Sequence, residues 1–134
     1  MNYTAATKAI IKFFAQAWGT TTDVAYPDVA FKIPANKTWV RFNLQHYSGR
    51  QASIGAPGSN RFRRDGLITA QVFSVEKNAA ADALLKADQI VDIFQGVSNG
   101  GITYFDVQLK EIGPDGNGWH QINVLAYFQY DRIA

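Results

Sequence analysis

Two stretches of this chain place an apolar residue at every second position, and that period dictates a sheet. Over 119–130, Ile122, Val124, Ala126 and Phe128 alternate with Gln121, Asn123 and Gln129. Over 38–47, Val40, Phe42 and Leu44 alternate with Trp39, Arg41 and Asn43. Successive side chains of an extended strand point to opposite faces, so a period of two supplies one face for a core and another for water. The stretch 67–75 is apolar on both faces, which places it centrally. A further strand over 103–112 joins 119–130 through Gly113-Pro-Asp-Gly-Asn-Gly118, where Gly and Asn tolerate the positive φ of a hairpin. Pro27 and Pro34 lack an N–H, which confines 24–33 to an edge or a wrapped segment.

Two other stretches carry the helical period. Over 2–18, Ala6, Ile10, Phe13, Phe14, Ala17 and Trp18 fall on one face and Lys8, Lys12 and Gln16 on the other. Asn2 or Thr4 can cap its start, and Gly19 its end. Over 79–95, Leu84, Ala87, Ile90, Val91 and Phe94 form the stripe, with Asp82, Lys86 and Asp92 facing water. The expected architecture is α+β: a single mixed or antiparallel sheet of about four to five strands, two helices packed on one face, and a long flexible arm or loop over 48–64. Ser48, Gly49, Ser53, Gly55, Pro57, Gly58, Ser59 and Asn60 make that arm the richest run of turn formers. The 134 residues form a single domain, 1–134.

Chemistry is sparse. With no cysteine there are no disulfides, thiolate metal sites or cysteine nucleophiles. His46 and His120 lie in no metal motif and no spacing ties them to a nucleophile or a carboxylate pair. Asp115-Gly-Asn-Gly118 lacks the spaced acids and closing Glu of a calcium loop. Gly55-Ala-Pro-Gly58 lacks the Gly-Lys-Ser/Thr of a phosphate cradle. Asp82, Asp88 and Asp92 read as a solvated helix face. No cofactor, metal or catalytic residue is expected, and the apolar residues of 1–18 are too interrupted for a signal-peptide core or a membrane span.

Charge is more telling. The net +2 hides a segment, 29–64, with seven bases (Lys32, Lys37, Arg41, Arg50, Arg61, Arg63, Arg64) and no acid. It precedes a segment, 65–134, with nine acids and four bases. A basic arm can bind nucleic-acid phosphates, or it can dock head to tail on the acidic surface of an identical neighbour. Arg50, Ile54, Arg61, Phe62, Arg63 and Arg64 are the candidate contacts of an interface arm, and Arg50, Arg61, Arg63 and Arg64 those of a nucleic-acid site. A nucleic-acid-binding module built on 32–64 is one alternative. A small enzyme, should the two histidines meet carboxylates in space, is another.

Five short patterns resemble the tail terminator (tail completion) proteins of tailed phages, the lambda-type family. They are Ala25-Tyr-Pro-Asp-Val-Ala-Phe31, Trp39-Val-Arg-Phe42, Ser53-Ile-Gly55, Arg64-Asp-Gly-Leu-Ile-Thr-Ala-Gln-Val-Phe73 and Gly118-Trp-His-Gln-Ile-Asn-Val124. The resemblance implies a structural protein of the virion tail, assembled in the host bacterial cytoplasm and sited at the head–tail junction. It implies a hexameric ring that caps the tail tube, ends its polymerisation and meets the head–tail connector, while DNA only passes through the lumen. A connector adaptor or stopper is the near alternative. The expected partners are therefore further copies of this chain, the tail tube protein and the connector protein, with no membrane.

Overall fold

A computed structural model describes residues 1–78 and 81–134. Its elements are helix α1 (Tyr3–Trp18), strands β1 (Asp23–Ala25), β2 (Trp39–Gln51) and β3 (Arg61–Val75), helix α2 (Ala81–Phe94), and strands β4 (Ser98–Asn99), β5 (Ile102–Pro114) and β6 (Trp119–Ile133). A 3-10 turn at Glu76–Asn78 follows β3. The first two residues of the helix expected over 79–95 lie outside the described residues.

The architecture is α+β, with both helices on one face of a curled mixed sheet ordered β1-β2-β3-β6-β5-β4. The sheet has six strands where four to five were expected. The unexpected strand is β4, whose two residues are too short to show a period, while the extended stretch expected over 24–33 contributes only the three-residue β1. β1 runs parallel to β2, and every other neighbouring pair is antiparallel. β3 is central, as its two apolar faces required, and β1 is an edge strand that ends before Pro27.

The core forms where the strand period meets the helical period. Val40, Phe42, Ile68, Ala70, Val72, Ile122, Val124, Ala126 and Phe128 form the sheet's buried side. Against it lie Ala6, Ile10, Phe14 and Trp18 of α1 and Ala83, Ala87, Ile90 and Phe94 of α2. Phe14 sits at the junction, its ring 4.5 Å from Phe42, 5.5 Å from Trp18 and 5.9 Å from Phe94, each nearly parallel. The stripe of α2 is turned from the expected one: Leu84 is exposed, and Ala83 takes the buried place. Ala17 of α1 is likewise exposed. Asn2 caps α1, its Oδ1 accepting from the Ala5 N–H at 2.8 Å.

The arm expected over 48–64 is ladder at both ends. Ser48–Gln51 pairs with Phe62–Asp65, and Arg61–Asp65 pairs on its other side with Gln129–Ile133. A register shift between His46 and Ser48 absorbs Tyr47 and lets the two strands run on as a ribbon. Only 52–60 remains outside the strands.

Candidate functional site

The basic segment becomes a site through the alternation of β3. Along 61–65, every second side chain lies on the sheet face away from the helices, which carries Arg61, Arg63 and Asp65. Phe62 and Arg64 turn to the helix side. Register then sets the partners, because Arg63 lies opposite Asp131 of β6.

Arg63 donates to Asp131 as a fork, Nε to Oδ1 at 2.9 Å and Nη2 to Oδ2 at 3.3 Å. Arg61 Nη1 reaches the same carboxylate at 3.4 Å. The hydrogen bond from Arg63 holds the Asp131 carboxyl below its ordinary value, and that bond with Asp131 holds the guanidinium pKa up. Asp65 forms the second node. It accepts from Gln129 Nε2 at 2.8 Å and Ser48 Oγ at 3.1 Å, with Arg50 Nη1 at 3.7 Å.

Arg64 is held differently. Its guanidinium lies 5.4 Å from the Tyr3 ring and 5.7 Å from the Phe62 ring, with Nη1 on the Arg63 carbonyl at 3.4 Å. Its Nε is buried without a hydrogen-bond partner. Beside it, the Tyr130 hydroxyl and His46 Nε2 are 2.7 Å apart, and Tyr3 meets the His46 ring edge-on at 4.8 Å. Burial pushes the Tyr130 phenol up to about 12. Burial, and then the nearby Arg64 charge, push the His46 pKa down. Either group can donate in this bond, the direction following the His46 tautomer.

The segment's +7 is therefore not an open basic surface. Asp65 and Asp131 occupy Arg50, Arg61 and Arg63, and Asp23 holds Lys37 at 3.5 Å. Among the described residues, Lys32, Arg41 and Arg64 have no carboxylate within salt-bridge distance, and Arg41 instead lies over the Trp39 and Phe73 rings. These three carboxylates offset three of the seven charges and hold four of the side chains against the chain's own surface, which reduces what is free to bind phosphate.

The ribbon's tip is shaped by its own backbone. Ser53 Oγ accepts from the Arg61 N–H at 2.7 Å, and Asn60 pairs with Ala134 through two backbone bonds of 2.8 and 2.9 Å. Gly55 and Gly58 sit at φ of 96° and 86°, which a side chain resists. Ile54 stands 92% exposed at this tip, apart from the ion-pair cluster.

The two histidines do not meet. His46 pairs with Gly66 near one end of the sheet and His120 with Ser74 near the other. No group of three His, Cys, Asp or Glu side chains among the described residues could hold a metal ion. No described helix is long and apolar enough to cross a membrane. Sequence reasoning missed the two acidic nodes and the polar face between the sheet's ends, where Asn43, Thr69, Gln71, Gln121 and Asn123 stand in adjacent strands between Arg41 and Lys110. The alternation of β6 did signal that face; the register did not.

The comparisons bear on what such a chain is for. No curated protein matches it. A solved structure superposes with a TM-score of 0.70 at 16% identity, covering 97% of this chain and 96% of that one, which establishes a shared fold. The model of the phage tail terminator protein family matches residues 3–125. The chain thus belongs to the phage tail terminator family, as a structural component of a bacteriophage tail and not an enzyme.

Proposed function

We propose that this chain closes a hexameric ring on the end of a phage tail tube, halts tube polymerisation there and offers the surface on which head and tail join. The observation that carries this reading is the family match across 3–125. In this reading the partners are further copies of the chain, the tail tube protein and the head–tail connector, at the head–tail junction of a virion assembled in the bacterial cytoplasm. DNA passes through the lumen without being held.

The ribbon is an interface element in this scheme. Its arginines are held in place by Asp65 and Asp131, so Arg50, Arg61 and Arg63 present an ordered polar surface, with Phe62 and Arg64 behind it. Ile54 is an apolar contact waiting to be covered. Electron microscopy of the purified chain, alone and added to growing tail tubes, tests the proposal. Hexameric rings at the ends of tubes that stop lengthening support it. Continuous filaments of the chain, or tubes that grow unchecked in its presence, refute it.

A further inference from the structure

We propose that copies of this chain join head to tail by pairing the free length of β2 on one copy with the free length of β5 on the next. The inference rests on the ring reading and names the surfaces that close it.

The sheet has two unfinished edges. β1 covers the outer side of β2 only from Trp39 to Arg41. β4 covers β5 only at Ile102 and Thr103, and the adjoining turn extends that cover to the Tyr104 N–H (to Val97 O, 2.8 Å) and the Phe105 carbonyl (from Gly96 N, 3.2 Å). Beyond these caps, among the described residues, no backbone hydrogen bond reaches the outer side of β2 over 43–51 or of β5 over 106–114. Asn43 Oδ1 takes the Leu44 N–H at 2.9 Å, a side-chain stand-in for a missing strand. Long open edges are templates for another chain.

Direction and chemistry select the partner. The order β2-β3-β6-β5 is antiparallel throughout, so its two outer strands run in opposite senses. A copy generated by rotation about an axis along the strands keeps its sense, and its β5 meets β2 in an antiparallel ladder. The caps lie at opposite ends, so matching the free lengths staggers each copy along its neighbour, the offset that tilted strands in a closed sheet require. That match brings Arg50 beside Asp106 and gathers three exposed apolar side chains along the seam: Tyr47, 56% exposed, and Leu109 and Ile112, 36% and 43% exposed. Pairing β2 with β2 would offer Arg50 no acid from the partner edge.

The absence of cysteine makes the test clean. Ser48→Cys and Gln108→Cys, both at exposed positions on the face away from the helices, are mixed and treated with a short bis-maleimide, while native mass spectrometry follows the oligomer. The expected result is a covalent dimer in the mixture and none in either variant alone. The double variant should give a ladder of linked copies. As a second measure, Arg50→Asp should weaken association roughly two- to fivefold per interface, with Asp106→Arg restoring it. Oligomers whose mixed cysteines stay unlinked overturn the inference and leave the ring reading standing. Ser48→Cys that links to itself as readily as to Gln108→Cys also overturns it. A chain that forms no oligomer, alone or on tail tubes, overturns the ring reading and this inference together.

Discussion

Replacing Gly66 by alanine drives a methyl group into a ring that has nowhere to go. Gly66 lies opposite Phe128 across the β3–β6 ladder. A Cβ on its backbone would stand 2.1 Å from Phe128 Cζ and 2.6 and 2.7 Å from the two Cε atoms. Ordinary contact begins near 3.4 Å, so the ring must retreat by about 1.3 Å. Phe128 is 1% exposed, with His46 edge-on at 5.4 Å and the Tyr130 ring parallel at 6.3 Å. Overpacking of this kind costs about 1–3 kcal/mol. For a chain of this size that lowers Tm by roughly 3–15 °C. Urea denaturation in dilute solution should measure it in Gly66→Ala, in Phe128→Leu and in the double variant. Leucine vacates the space the methyl needs, so the double variant should lose less than the two single losses added, by roughly 0.5–3 kcal/mol. A Gly66→Ala chain within about 0.5 kcal/mol of the parent, or additive losses, would refute the steric argument.

Phe14→Ala removes the ring shared by Trp18, Phe42 and Phe94 at a fully buried position. It should cost about 3–5 kcal/mol in the same urea experiment. Asn2→Ala strips the cap from α1 and should cost about 0.5–2 kcal/mol, with Asn2→Asp retaining most of it. The His46 pKa is depressed by burial and by Arg64, below the ordinary 6.5, so the unfolded chain binds that proton first. Stability should therefore fall as pH drops below 6.5, until the folded-state value is reached, and His46→Gln should flatten that slope. Asp131 acts in a lower window. Its carboxyl is held below 3.8, so its contribution is present above that value and disappears as pH falls through the folded-state pKa; Arg63→Gln should weaken this acid dependence.

The two periods and the turn formers made most of the fold legible. Alternation marked β2 and β6, and the helical stripes marked α1 and α2, because a buried face repeats with the geometry of its element. What escaped is what depends on small residues or distant partners. Periodicity weights Leu84 over Ala83, yet the helix buries the alanine. Ser48 and Gly49 read as turn, and only β3 makes them strand. The same holds for the charge. A block of seven bases and no acid is a property of the chain as a string, and it pointed to a basic arm. Asp131 lies 68 residues from Arg63 along that string and 2.9 Å from it in space. A shift of one residue in the β3–β6 pairing would put Asp131 on the opposite face from Arg63 and expose the guanidinium. The register, held by the alternating core of β3 and β6, is thus what turns a basic segment into an ordered ribbon whose Arg61 and Arg63 are paired within the chain.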